Sequence, residues 1–190
     1  MWLNERPIIL ASASPRRQEL LKKAGLNFRV IKPEVEEIYP EGLSPQEVTV
    51  YLAKLKAEAL KDSLEEDEVI ISADTIVSLD NTIYGKPRDA ADAVRILGEL
   101  SGKKHTVISG VCLQTRKKEI SFHEETDVYF HPLTEEEIRY YVDQWDPMDK
   151  AGAYAIQEWI GLVGISRIDG CYFNVMGLPV QKLYQALKQI

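Results

Sequence analysis

The sequence predicts an α/β fold, and three observations carry that prediction. Pro7–Leu10 is a short apolar run that leads directly into a helix start at Ser14-Pro15. Val69–Leu79 is a nearly continuous apolar run, followed by the turn pair Asp80-Asn81. Further helix starts at Ser44, Asp89 and Thr134 fall between predicted strands. Short apolar strands punctuated by capped helices are the pattern of strands packed under helices.

Pro7–Leu10 reads as a buried strand. Ser14 then stands at an N-cap position and Pro15 at the first helical position. Leu20, Leu21 and Ala24 give this helix its apolar face, and Gly25 ends it. Phe28–Ile31 is the second strand. Ser44-Pro45-Gln46-Glu47 is a capping box that opens a helix to about Asp62. Its apolar stripe is Val48, Tyr51, Leu52, Leu55 and Ala59. Val69–Leu79 and Thr82–Tyr84 are two arms of a hairpin around Asp80-Asn81. Asp89 caps a helix to Leu100, with Ala90, Ala93, Val94 and Leu97 facing inward. His105–Thr115 and Glu119–His131 are long strands joined at Lys117-Lys118. Thr134 opens another capping box, and Asp146-Pro147 closes that helix. Leu162–Ile165 and Tyr172–Val175 read as a terminal hairpin around Asp169-Gly170, and Leu178-Pro179 starts the last helix.

The 190-residue chain is long enough for one domain, or two tightly joined lobes, with a sizeable core. Its net charge of −7 argues against broad binding of nucleic acid or of anionic membrane. The two cysteines, Cys112 and Cys171, have neither metal spacing nor a disulfide framework. No signal-peptide pattern precedes the first strand and no apolar run has the length of a membrane span, so a reduced, cytoplasmic protein is expected.

Arg16 and Arg17 contradict the helix they occupy. A helix N-terminus carries partial positive charge and unpartnered N–H groups, so acidic residues belong there. Either the two arginines are solvated, or an anion reverses the sign of the effect, as at phosphate sites. Lys56 borders the apolar stripe of its helix, where it either reaches to water or serves an anionic site. Asp74 interrupts an apolar strand. A carboxylate there must be ion-paired, hydrogen-bonded or metal-bound. Lys86 stands between Gly85 and Pro87, in a turn that glycine's backbone freedom and proline's fixed angle are expected to stiffen. Glu34, Glu36 and Glu37 form an acidic loop, either a solvated turn or the source of a cation ligand. His105, His123 and His131 lack metal spacing and read as structural. In Asp149–Gln157, the small residues Ala151, Gly152, Ala153 and Ala155 let backbone approach something closely. Gln157 can pair with a base edge through both a donor and an acceptor. Cations that bind phosphates, with acids that hold a divalent ion or activate water, suit hydrolysis of a phosphoric anhydride.

Ala11–Arg17, Ser72-Ala73-Asp74-Thr75, Gly85-Lys86-Pro87 and Asp149–Gln157 together resemble the Maf (septum formation) family, in its order and spacing and across essentially the whole chain. The resemblance implies a single nucleotide pyrophosphatase domain over residues 1–190. It implies an elongated mixed sheet flanked by helices, with two lobes and a central cleft, often as a homodimer. It implies hydrolysis of a nucleoside triphosphate to the monophosphate and pyrophosphate. The paired arginines and Tyr-x-Ile-Gln are similar to the subgroup that takes dTTP and UTP. By the same resemblance Asp74 is the proton acceptor. Arg16, Thr75 and Gln157 fall at positions linked with substrate choice, and Ser14, Arg17, Glu37, Lys56 and Lys86 at other pocket positions. A divalent cation, Mg²⁺ or Mn²⁺, is expected, with Glu37 and Asp74 as ligands and Glu36 as a third candidate. The chain carries Glu158-Trp159 where the family usually has glycine, bulk that would reshape the pocket or stack on the base. Two other readings stay open: a nucleotide-binding regulator of cell division with little turnover, and the same chemistry on purine or modified triphosphates.

Overall fold

A computed structural model describes residues 6–190. Strand β1 (Ile8–Leu10) runs into helix α1 (Pro15–Lys23). Beyond the helix end Gly25 takes φ +74°, the left-handed conformation that lets the chain turn back. Strand β2 (Phe28–Val30) lies parallel to β1 on one side. Strand β3 (Val69–Leu79) lies parallel to β1 on the other. Helix α2 (Pro45–Glu58) opens with the predicted capping box, in which Ser44 and Glu47 each accept the other's backbone N–H. Asp80 and Asn81 both take positive φ, 51° and 64°, the geometry of a two-residue hairpin turn. That turn folds β4 (Thr82–Tyr84) antiparallel onto β3.

Helix α3 (Ala90–Leu100) follows, then β5 (Lys104–Gln114), β6 (Glu119–Phe130) and α4 (Glu135–Trp145). The remaining elements are α5 (Trp159–Val163), β7 (Ile165–Asp169), α6 (Tyr172–Val175) and α7 (Val180–Leu187). Among the described residues the strands form one mixed sheet of seven, ordered β2-β1-β3-β5-β6-β7, with β4 on β3. The fold is therefore mixed α/β. No helix among the described residues is long and apolar enough to cross a membrane.

The chain packs as two compact units, neither of them continuous in sequence. The first holds the described residues up to Thr75, Ser109–Glu124 and Gly177–Ile190. Ile9, Ala11, Ala53, Ala57, Leu64, Ile70 and Cys112 pack together in its core. Helix α2 is seated there by two contacts. Ser72 Oγ donates to Ala53 O at 2.6 Å. Gly110 of β5 lies so close to α2 that a Cβ would come within 2.2 Å of the Thr49 carbonyl carbon. Thr49, Ala53 and Lys56 are four and three residues apart and share that buried face. Tyr51, expected in the stripe, is 38% exposed because Thr49 takes the inner face instead.

The second unit comprises Ile76–Ile108 and Glu125–Met176. Its core joins Val77 and Leu79 to Leu97, Leu100, Tyr141 and Ile160. Here α3 turns Asp92 and Ile96 inward and leaves Ala90 exposed, since Asp92 is fully engaged by Arg88 and Arg95. The expected terminal hairpin does not form. Residues 159–163 are helical, β7 pairs antiparallel with β6, and Tyr172–Val175 is a helical turn. Strand propensity at Tyr172-Phe173 yields to tertiary bonding. Asn174 is buried and donates to Val107 O and Thr126 Oγ1, both at 3.0 Å.

His105 is buried in this unit, with Nε2 2.8 Å from the Tyr154 hydroxyl and Phe130 edge-on at 4.9 Å. Its Nδ1 has no hydrogen-bond partner. Burial lowers its pKa to about 4 and raises that of Tyr154. The unfolded chain therefore binds one more proton than the native state between pH 6.5 and 4. Stability contributed by neutral His105 is complete above about pH 6.5 and is lost as pH falls toward 4. The loss is of order 3 kcal/mol. Urea unfolding across this range should show it, and His105→Phe should flatten it.

Candidate functional site

In the first unit the parallel pairing of β1 and β3 sets Leu10 opposite Ile71. Ala11–Ser14 therefore emerge at the carboxyl edge of β1, beside Ser72–Thr75, which continue within the longer β3. This is the edge at which α/β sheets place chemistry. Asp74 is buried there. Its Oδ1 lies 2.5 Å from Lys56 Nζ, and Lys56 is buried as well. The same ammonium lies 3.0 Å from Glu37 Oε1. Lys56 thus stands between two carboxylates, one buried and one half exposed. Glu36 is exposed, and its carbonyl accepts the Ile38 N–H.

Arg17 reaches from the first turn of α1 into the same edge. Its Nε donates to Gly177 O at 2.8 Å. One Nη donates to Ala73 O at 2.9 Å and Ser12 Oγ at 3.3 Å, and the other to Thr75 Oγ1 at 3.1 Å. Burial lowers the Arg17 pKa, and the charge of Asp74 opposes that shift. Thr75 Oγ1 also lies 2.8 Å from Ser109 Oγ. With four acceptors already bound, Arg17 has one N–H left to offer. It acts first as the post that fixes Ser12, Ala73, Thr75 and Gly177. Arg16, one residue earlier, is half exposed at the helix start. Ser14 stands at the N-cap with no side-chain capping bond, so its hydroxyl is not used to close the helix. The structure thus brings Asp74, Thr75, Lys56, Glu37 and Arg17 into one network and sets Ser14 and Arg16 at the start of α1.

Lys86 and Gln157 belong to the second unit. The Lys86 turn is stiff, but not through glycine freedom. Gly85 avoids positive φ, and a Cβ there would meet nothing within 4 Å. Hydrogen bonds brace it instead. Tyr84 OH donates to Glu99 at 2.6 Å, Arg88 N–H to Asp92 at 3.1 Å, and Gly152 N–H to Gly85 O at 3.0 Å. Arg88 and Arg95 hold the Asp92 carboxyl far below the usual range. The last of these bonds ties the Lys86 turn to the segment that carries Gln157. In that segment the small residues serve a close approach to protein. A Cβ on Gly152 would lie 2.5 Å from Val77 Cγ2. Gln157 is exposed. Trp159 stacks on Trp145, with ring centroids 5.9 Å apart, so its bulk is spent within the protein.

The sequence profile of the family described as Maf-like protein matches residues 7–190. This chain belongs to the Maf-like family. It is 51% identical over 189 residues to a dTTP/UTP pyrophosphatase of Phocaeicola vulgatus, covering 99% of this chain and 98% of the relative. It is 49% identical over 189 residues to a dTTP/UTP pyrophosphatase of Bacteroides thetaiotaomicron, again with 99% and 98% covered. A solved structure of a HAM1 protein from Coxiella burnetii shares the fold, with a TM-score of 0.54, 15% identity, and 97% and 100% of the two chains covered.

In this Maf-like chain, sequence reasoning missed several residues that hold the site. Ser109 and Gly177 anchor Thr75 and Arg17, while Tyr141 binds Glu158 and the Ala155 N–H, on either side of Gln157 in the chain. The signals were faint. Gly110 inside a strand marks a close backbone approach, and Gly177, at φ +109°, marks a backbone that side chains rarely adopt.

Proposed function

We propose that this protein is a nucleoside triphosphate pyrophosphatase that takes dTTP and UTP. The observation that carries the chemistry is the Glu37–Lys56–Asp74 arrangement beside the carboxyl edge of β1, in which Lys56 and Asp74 are buried and Glu37 is half exposed. Relatives at about half identity over nearly the full chain, each a dTTP/UTP pyrophosphatase, support the choice of substrate. In the proposed reaction a water oxygen bonds to the α phosphorus as the bond from that phosphorus to the bridging oxygen breaks. Asp74 accepts the water's proton, and pyrophosphate departs with the bridging oxygen. Lys56 holds the Asp74 carboxylate in place and adds positive charge beside the phosphates. Ser14, Arg16 and the remaining N–H of Arg17 bind phosphate oxygens at the start of α1. Thr75, fixed by Arg17 and Ser109, helps to select the substrate. Lys86 binds phosphate and Gln157 reads the base.

The residues present fit a hard divalent ion. Asp74 and Glu37 direct carboxylate oxygens at one position, now held by the Lys56 ammonium. Among the described residues no three His, Cys, Asp or Glu side chains gather as a metal cluster. Glu37 and Asp74 would therefore hold Mg²⁺ or Mn²⁺ together with substrate phosphates and water. When bound, such an ion neutralises charge that develops on the phosphates. Metal-stripped enzyme in excess chelator should show no turnover, and Mg²⁺ or Mn²⁺ should restore it. Full activity in chelator would rule the ion out.

Pyrophosphate release from each common triphosphate tests the function directly. Turnover of dTTP and UTP is expected, and binding without turnover would favour a regulatory role. Lys86→Ala should cost roughly ten- to a hundredfold in kcat/KM, the scale of one charge-assisted hydrogen bond, with little change in Tm. Equal kinetics for both proteins would remove Lys86 from the site.

A further inference from the structure

We infer that Glu158 is a positioning residue for Gln157, and that through it this chain sets how sharply it discriminates between bases. The inference rests on the proposal that Gln157 reads the base. Gln157 is exposed, and an exposed amide selects between bases only if the backbone that carries it is fixed. The buried phenol of Tyr141 fixes it. Tyr141 OH donates to Glu158 Oε2 and accepts the Ala155 N–H at 3.1 Å. The Glu158 N–H in turn donates to Ala155 O at 3.1 Å. Residues 155–158 are thus closed twice, once through main chain and once through the Glu158 carboxylate, with Gln157 inside the loop.

The surroundings hold that carboxylate in one place. Glu158 Oε1 lies 3.5 Å from Lys150 Nζ, and the lysine side chain is only 8% exposed. Lys150 is itself held by Asp149 Oδ1 at 2.9 Å and Asp146 O at 3.1 Å. Trp159 stacks on Trp145, which stacks on the Tyr141 ring at 5.8 Å. The Ile156 carbonyl would lie 1.7 Å from a Cβ on Gly161, so α5 abuts the loop. A bond from a hydroxyl to a charged carboxylate is stronger than a neutral one. Its position next to Gln157 transmits that strength to the reading amide.

The test compares wild type, Glu158→Ala, Glu158→Gln, Tyr141→Phe and Gln157→Ala on dTTP, UTP, CTP, dGTP and base-free ribose 5-triphosphate. In Glu158→Ala the ratio of kcat/KM for dTTP over dGTP should fall by roughly tenfold or more. Turnover of ribose 5-triphosphate should be unchanged. Glu158→Gln, which keeps an acceptor for Tyr141 OH, should recover most of the ratio. An unchanged ratio in Glu158→Ala overturns the inference, as does an equal loss on the base-free substrate. If Glu158→Ala does not fold, Tyr141→Phe decides by the same two readings. Gln157→Ala separates the two levels. If it loses discrimination while Glu158→Ala keeps it, only the positioning role fails. If Gln157→Ala itself keeps discrimination, the base reading fails and this inference with it.

Discussion

Asp74→Asn is expected to lower kcat by about 10²- to 10⁴-fold, the usual contribution of a positioned general base. The substitution keeps the side chain's shape and removes its ability to take a proton from water. Its structural cost should be small, although removing one partner of a buried ion pair is normally severe. Here the ammonium of Lys56 keeps a second carboxylate, Glu37, at 3.0 Å. Lys56 is therefore not stranded, and Tm should stay near that of wild type. Near-normal turnover would move the proton acceptor elsewhere, and an unfolded variant would make the pair a structural one.

The reasons Asp74 was legible in the sequence are also the reasons other residues were not. A carboxylate inside an apolar strand must be ion-paired, hydrogen-bonded or metal-bound, so burial physics flags it. Arg16-Arg17 was flagged because it opposes the helix dipole, and side-chain caps at Ser44, Asp89 and Thr134 fixed α2, α3 and α4 through local chemistry. Arg17's actual work depends on carbonyls at Ala73 and Gly177. Residues 177 and 17 meet only when the chain has folded, and a carbonyl has no sequence signature. The bracing of Lys86 is of the same kind, since Gly85 and Pro87 suggested stiffness while Glu99, Asp92 and Gly152 supply it. The end of the chain misled for a related reason. Tyr172–Val175 has the composition of a strand, but Asn174 binds β5 and β6 through its side chain and the turn stays helical. Glu158-Trp159 looked like bulk aimed at a ligand. Its partners, Tyr141 and Trp145, lie on a helix more than ten residues earlier.

Wild type is expected to hydrolyse dTTP and UTP with higher kcat/KM than any purine triphosphate, and Gln157→Ala to lose most of that preference. A thymine or uracil edge alternates carbonyl acceptors with one N–H donor. The glutamine amide answers one of each, and neighbouring main chain can answer the remainder. A base that leaves such groups unpaired costs about 1–3 kcal/mol for each buried group. That range corresponds to roughly 5- to 150-fold in rate. Cytosine reverses part of the pattern, with an amino donor where uracil has an acceptor, so CTP should be poorer than UTP by a similar factor. Removing the Gln157 side chain takes away recognition of the base and leaves Asp74 and Lys56 intact. Activity on dTTP and UTP should therefore fall toward that on the poorer substrates rather than vanish. The measurement is kcat/KM for each common triphosphate on both proteins. Faster hydrolysis of a purine triphosphate by wild type would end the pyrimidine assignment. Unchanged ratios in Gln157→Ala would shift base recognition to other groups, with Thr75 and its partner Ser109 the next to test.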